Sequence, residues 1–429
     1  MPYRRATAAV LTARLAEPPR KLWVVLGPRQ VGKTTMVRQV LADRASPESH
    51  WFTDADNPGQ FGETVSPHPS AGDIHFSPGR PADKVWLEAC WRHACLRAVQ
   101  FSKSQDESAD MPPGNFVFVI DEVQKVKGWP ELIKGLWDST QAQRIPMHVV
   151  LLGSAPMLVQ HGLTESLMGR FELLRMPHWS LDEMHEAFDM TLAQYVYFGG
   201  YPYAAELRSD EQRWRSFVRD SLIAPSIDRD VLQMARVDRP ALMRQLFELG
   251  CQYSAQIVAL TKLVGSLQDA GNTTTLTSYL KLLENAGLLS ALFKYSPQSI
   301  RQRASKPKFQ VLNTALQSAC EPWGFEQARA NPSHWGRLIE SAVGAHLINT
   351  SVGETQLHYW NESPHEVDFV IVHRGRIAAI EVKSGKPRAD RRGLREFQNR
   401  FGACVTHLIG SEGIDLGEFL SYPAAHWVE

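Results

Sequence analysis

The chain has 429 residues, 43% hydrophobic and 21% charged, with 46 basic residues balanced by 46 acidic ones. That length exceeds one ordinary core, so two or three domains are expected. The zero formal charge provides no overall pull toward nucleic acid and leaves only local basic patches to do so. No apolar run reaches the roughly 18–20 residues that span a bilayer.

The opening "MPYRRATAAVLTARLAEPPR" lacks the continuous apolar core of a secretory signal. The five cysteines (Cys90, Cys95, Cys251, Cys320, Cys404) form no C-x-x-C pair, which speaks against a disulfide scaffold and structural zinc. A reduced, cytoplasmic setting is the expectation.

In chain order, residues 22–26 ("LWVVL") read as a buried strand, followed by a glycine-containing loop and a helix from about Thr34 to Leu41. "HWFTDADN", 50–57, reads as a second strand ending in acidic residues. Residues 60–83 and 101–115, rich in Pro, Gly, Ser and acidic residues, read as surface loops, with "KVWLEACWRHACLRAV" helical between them. "FVFVIDEVQ", 116–124, and "MHVVLLGSAP", 147–156, are β-prone. Strands alternating with helical stretches predict a parallel sheet flanked by helices over residues 1–190. Residues 191–310 are dominated by helical patterns: "PALMRQLFELGCQYSAQIVALTKLVGSL", and "TTTLTSYLKLLENAGLLSALFKYS", with a Thr-rich entry and then Gly287; this helix–turn–helix followed by the apolar hairpin-like tail "GLLSALFKYS" resembles a winged helix. Residues 311–429 return to mixed α/β, with a helix "GRLIESAVGAHLIN" and strands "EVDFVIVHRG" and "RIAAIEVKSG".

Gly27-Pro28-Arg29-Gln30-Val31-Gly32-Lys33-Thr34-Thr35 contains G-x-x-x-x-G-K-[ST], the Walker A pattern. Its glycines let the backbone N–H groups wrap a phosphate at the positive end of the following helix. Lys33 would reach the β- and γ-phosphates of ATP, and the Thr34 hydroxyl would bind Mg²⁺. The second element is Asp121-Glu122 at the end of "FVFVI", a Walker B pattern. Asp121 would hold the metal and Glu122 would orient and deprotonate the attacking water. Ser154, after "HVVLLG", stands where a γ-phosphate sensor is placed. Arg170 in "ESLMGRFELLRM" is the candidate arginine finger, supplied from a neighbouring subunit, with Arg175 and Arg229 as rivals.

Taken together, "GPRQVGKTT", "VIDEVQKVKGWPELIKGLWD", "LLGSAP", "ESLMGRFELLRMPHWS" and "FGGYP" resemble a widespread prokaryotic family of AAA+-type ATPases. Its members join the ATPase to a C-terminal domain of uncharacterised function with a restriction-endonuclease-like fold. The resemblance covers nearly the whole chain, and nothing is carried over it for the region around 60–115. It implies a P-loop ATPase domain over 1–190, a helical and winged-helix-like region over 191–310, and a PD-(D/E)XK nuclease-like domain over 311–429.

The residues themselves bear on that last domain. Asp368 lies in one strand, and Glu381 and Lys383 lie in the next, on one side of it by alternation, with Val382 facing the core. Glu340, in the preceding helix, completes a set that would hold a second Mg²⁺ or Mn²⁺, with Lys383 beside the water. Arg374, Arg376, Lys383, Lys386, Arg388, Arg391, Arg392 and Arg395 cluster around it. Arg301, Arg303, Lys306 and Lys308 follow the wing, and such charges suit phosphate contacts. Thr274, Thr275, Ser278 and Lys281 are candidate recognition-helix contacts. Trp129, Trp137, Trp179, Trp335 and Trp360 read as packing residues, and His178 as a cap or an interface residue.

The expectation is therefore an Mg²⁺-dependent ATPase that remodels DNA or moves along it, in repair, recombination or defence against mobile DNA. DNA and further copies of the chain are the expected partners, a hexamer among the assemblies, with no membrane. Two alternatives stay open: an ATP-regulated nuclease using the C-terminal site, and a nucleotide-switched signalling or scaffold protein without a DNA substrate.

Overall fold

The computed structural model describes residues 3–44, 46–58, 81–106, 115–153, 166–232, 237–267, 272–298, 305–383 and 391–429. The chain divides into two compact units, Met1–Met176 and Pro177–Glu429. Among the described residues no helix is long and apolar enough to cross a membrane.

The first unit is built on five parallel strands: β1 (Leu22–Leu26), β2 (His50–Asp54), β3 (Phe116–Asp121), β4 (Met147–Gly153) and β5 (Phe171–Arg175), in spatial order β2-β3-β4-β1-β5. Every residue of β1, β3 and β4 is buried, which is why these segments read as unbroken apolar runs, as strands covered on both faces do. Registers such as Val24↔Leu151 and Val119↔Val150 place β4 between the loop-bearing strand and the strand that ends in Asp121. The helices α1 (Ala6–Leu15), α2 (Lys33–Ala42), α3 (Lys84–Asp106) and α4 (Trp129–Ala142) complete this unit. Trp86, Trp91, Trp129 and Trp137 pack into one core with Phe116, Phe118 and Ile120.

Two expectations need adjustment. Helix α3 runs on to Asp106, where a loop is expected from 101; 59–80 and 107–114 lie outside the described residues. Strand β5 was not anticipated, because as an edge strand it leaves Glu172 and Arg175 exposed and shows no apolar run.

In the second unit, the helical pattern of "PALMRQLFELGCQYSAQIVALTKLVGSL" resolves into two helices, α5 (Pro240–Gln252) and α6 (Leu260–Ser266). The break comes from backbone pairing: Ala255, at φ +63°, donates its N–H to the Phe309 carbonyl (2.8 Å), and Val258 donates to Pro307 (3.0 Å). Helix α7 (Thr273–Asn285) is capped by Asn272, whose side chain accepts the Thr275 N–H at 2.9 Å. It ends ahead of Gly287, at φ +77°, and leads into an antiparallel pair, β6 (Leu289–Leu292) and β7 (Lys308–Val311).

The C-terminal sheet has the order β11-β10-β9-β8, from β8 (Gln356–Glu362), β9 (His365–His373), β10 (Arg376–Lys383) and β11 (Val405–Gly410). The first three strands are antiparallel in sequence, and β11 lies parallel to β10 after helix α9 (Arg392–Phe401). Arg374 and Gly375, at φ +48° and +79°, make the two-residue turn between β9 and β10, whose backbone twist matches that of the hairpin. Helix α8 (Pro332–Thr350) packs against β7 and β10.

Candidate nucleotide site and C-terminal carboxylate cluster

The loop between β1 and α2 bends through two left-handed residues, Gln30 (φ +61°) and Gly32 (φ +87°). Gly27 is demanded by close packing: a Cβ there would lie 2.2 Å from the Met176 carbonyl oxygen, just past β5, where the Met176 N–H bonds to Leu26. Lys33 is only 7% exposed, and its Nζ donates to the carbonyls of Gly27 (2.9 Å) and Pro28 (2.7 Å). The ammonium is thus held at the mouth of the loop. Val31 is fully buried, and the side chain of Arg5, 5% exposed, donates to its carbonyl at 3.3 Å. Arg5 therefore braces the loop from below, a role the sequence did not signal because it lies twenty-six residues away on the approach to α1.

Thr34 and Asp121 meet directly: Thr34 Oγ1 donates to Asp121 Oδ2 at 2.6 Å. The other oxygen, Oδ1, accepts the Glu122 N–H at 2.9 Å. Burial pushes the Asp121 carboxyl up to about 6, with the charges of Glu122 and Asp54 adding to the rise and the Thr34 hydrogen bond opposing it. Asp54 is there because β2 and β3 are in register at their ends, Asp54↔Asp121. Two hard oxygen donors side by side at the start of α2 fit a Mg²⁺ ion, which would supply the positive charge this buried carboxylate lacks. Glu122 sits in the left-handed region at φ +50°, a conformation a non-glycine residue adopts at a cost and which clusters at functional sites. The Gln124 amide donates to its Oε2.

Of the remaining candidates in this unit, Ser154 lies outside the described residues. Arg170, 32% exposed, is paired through two hydrogen bonds with Asp138 on α4, Nε–Oδ1 2.7 Å and Nη2–Oδ2 3.0 Å. Arg175 is exposed at the end of β5, and the Arg229 side chain, in the second unit, lies outside the described residues.

The four C-terminal candidates do come together, with one addition. Lys383 Nζ lies 2.8 Å from Glu381 Oε1, as same-side placement on β10 requires. Val382 is half-buried and Glu381 is the buried neighbour at 7% exposure, the reverse of the expected core-facing valine. Asp368 accepts the Val382 N–H on Oδ2 at 2.8 Å, so its side chain takes over a ladder position at the end of the hairpin.

The addition is Lys308. Read in sequence as one of the surface cations after the wing, it is fully buried. Its Nζ donates to Glu340 Oε1 and to the Asp368 carbonyl (3.0 Å), and lies 3.9 Å from Asp368 Oδ1. Burial alone would lower its pKa, but the charges of Glu340, Asp368 and Glu366 outweigh that and hold it above the ordinary lysine value.

Of the other basic residues, Arg374 and Arg376 are exposed at the β9–β10 turn. Arg391 and Arg395 line an open recess of about 390 Å³ with Gln398, Thr406 and His407. Arg301, Arg303, Lys386 and Arg388 lie outside the described residues. On α7, Thr274, Ser278 and Lys281 form one exposed stripe, and Thr275 is half-buried. His178 bridges two segments, its Nε2 bonding to the Gly287 carbonyl (2.9 Å) and its Nδ1 to the Asn313 amide (3.2 Å).

An AAA domain family matches residues 91–185. The first unit has the fold of a P-loop ATPase. Two domains of unknown function match further along the chain, DUF8612 over 190–327 and DUF4143 over 335–423. Uncharacterized proteins of Mycobacterium tuberculosis and Mycobacterium bovis are each 26% identical over 392 residues, covering 89% of this chain and 74% of theirs. Among solved structures, a Walker-type ATPase of Pyrococcus abyssi aligns at 14% identity with a TM-score of 0.48, over 75% of this chain and 96% of that one.

Proposed function

We propose that this chain is an Mg²⁺-dependent ATPase of the AAA+ type that uses ATP turnover to remodel DNA or to move along it. The observation that carries the catalytic part is the 2.6 Å contact of Thr34 with Asp121 beside the Lys33 ammonium. It brings the metal-holding groups and the phosphate-holding group to one place. In this reading Lys33 holds the β- and γ-phosphates and Thr34 and Asp121 hold Mg²⁺, which neutralises phosphate charge. Glu122 orients the water and takes its proton. Arg170 serves a neighbouring subunit in a homo-oligomer, leaving Asp138 to do so, and Ser154 senses the γ-phosphate.

The DNA part rests on the second unit. Helices α5, α6 and α7 followed by the β6–β7 pair, with Ile257 bridged to Lys308 as a third short strand, support a winged-helix reading in which the Thr274–Ser278–Lys281 stripe meets DNA. The α8–β8–β9–β10–α9–β11 order, with β11 alone parallel, supports a restriction-endonuclease-like reading of the C-terminal part. We read that part as gripping DNA. Repair, recombination and defence against mobile DNA all fit such a machine.

The test is the ATPase rate of the purified protein against duplex, single-stranded and branched DNA. Stimulation by one form, absent in Lys33→Ala, is expected. A flat response across the panel would replace the DNA reading with the nucleotide-switched signalling one.

A further inference from the structure

A restriction-endonuclease-like C-terminal part implies a divalent cation held by Glu340, Asp368 and Glu381. The donor set does not fit it. Each carboxylate already has a partner from within the chain: Glu340 is bonded to the Lys308 ammonium, Asp368 accepts the Val382 N–H at 2.8 Å with Lys308 Nζ at 3.9 Å, and Glu381 lies 2.8 Å from Lys383 Nζ. A dication would have to displace the Lys308 ammonium from Glu340 and the Lys383 ammonium from Glu381 to reach those oxygens. Among the described residues, no group of three or more His, Cys, Asp or Glu side chains is placed to hold a metal ion.

Lys308 is built into this position. It lies on β7, where Gln310, two residues on and on the same face, donates to the Ser341 carbonyl of α8 at 2.7 Å. Ser254 and Ser341 join hydroxyls at 2.8 Å beside it. The helix approaches this closely because residue 344 is glycine: a Cβ there would lie 2.1 Å from Gln310 Oε1. The ammonium also lies 4.5 Å from the centre of the Phe369 ring, whose face attracts a cation. A buried cation bonded to one carboxylate, to a carbonyl and to a ring face has no slack to swing aside.

Building on the restriction-endonuclease-like reading, we propose that Lys308 is a resident internal cation that takes the place of the divalent metal. The C-terminal domain then holds its ligand without metal-dependent cleavage of phosphodiester bonds. Lys308 also ties the β6–β7 hairpin to the sheet, so the cluster works as a joint between hairpin and sheet.

The experiment uses the full chain, free of nucleotide and DNA, in an Asp121→Asn background that removes the P-loop carboxylate. The probe is Mn²⁺ alone, followed by electron paramagnetic resonance and calorimetry. The parent and its Asp368→Asn variant are expected to take up Mn²⁺ identically to millimolar concentration. Lys308→Met, which keeps the apolar stem, is expected to gain one site at least tenfold tighter, lost again in Lys308→Met/Asp368→Asn.

An Asp368-dependent Mn²⁺ site in the parent overturns the proposal, and so does a folded Lys308→Met protein that gains none. If Lys308→Met fails to fold by circular dichroism, the parent-against-Asp368→Asn comparison decides. A second measurement is nicking of supercoiled DNA in Mg²⁺ or Mn²⁺: none is expected, and nicking abolished by Lys383→Ala overturns the proposal. Failure of DNA to stimulate ATP turnover leaves these readouts unmoved, so the two readings fall separately.

Discussion

Replacing Lys33 by alanine tests the nucleotide site at its centre. The ammonium is 7% exposed and fixed by two carbonyls at 2.9 and 2.7 Å, so its position does not have to be organised at the moment of reaction. Two unit charges about 4 Å apart at an effective dielectric near 20 attract by about 4 kcal/mol. At about 1.4 kcal/mol per decade this is close to a thousandfold in rate. Deletion of one preorganised donor typically costs about 10²–10³ in kcat, so a loss in that range is expected for phosphate release at saturating MgATP. The fold should survive, because the change leaves two carbonyls without one donor, about 1–3 kcal/mol, or a melting shift of roughly 2–4 °C per kcal/mol for a unit of this size. Lys33→Arg should be nearly as slow, since the larger guanidinium has no room in the same buried place. If Lys33→Ala released phosphate within about threefold of the parent with an unchanged melt, the triphosphate would not lie in this loop.

Glu122→Gln is expected to slow turnover by at least about 10²-fold, the usual share of a general base, while binding of a fluorescent ATP analogue stays within twofold; equal losses of both would remove the base role. Gly199→Ala is expected to destabilise the protein by roughly 2–4 kcal/mol. The residue is at φ +69°, and a Cβ would lie 2.0 Å from Asn313 Oδ1 and 2.6 Å from the Ala315 nitrogen; an unchanged denaturation midpoint would refute that packing. Burial pushes the His148 imidazole down to about 4 from 6.5, with nearby Arg44 adding to the effect and the Glu17 carbonyl, at 2.9 Å, opposing it. Above pH 6.5 the ring is neutral both folded and unfolded, and its contribution is complete. As pH falls toward 4 the unfolded chain takes up the proton first, so stability drops, by about 2 kcal/mol at pH 5. A His148→Gln variant should lose much of this slope in melts recorded from pH 7.5 to 5, and an identical slope would refute the assignment.

What was legible in the sequence was what a short stretch of chain decides alone. A phosphate loop needs backbone that only certain residues allow, so the Gly27–Thr34 run announces itself, as does a carboxylate pair closing the buried strand Phe116–Asp121. The apolar runs gave β1, β3 and β4 for the same reason. "FGGYP" stood out as particular without a visible cause. The structure gives the cause: Gly199 must take a positive φ, and a Cβ on Gly200 would lie 2.2 Å from the Trp179 carbonyl oxygen. Helical periodicity misled at Tyr253–Ala259, because it records which face is apolar but not whether the backbone has a better partner. That backbone has one in Pro307 and Phe309, some fifty residues on.

Lys308 shows where such reading stops. In the string "IRQRASKPKF" it is one cation among several, and nothing within ten residues distinguishes it from Lys306. The difference is made by Glu340 and Asp368, 32 and 60 residues later, and by a strand position that turns its side chain toward α8. A fully buried lysine is tolerated only when paired and hydrogen-bonded, so burial converts a residue that suggested phosphate contact into one that answers carboxylates. Arg170 likewise has a partner that its place in the sequence did not show, Asp138, which it leaves when it serves as the finger. In both cases the charge was legible and its partner was not. The partner decides whether the charge faces a ligand or the protein's own chain.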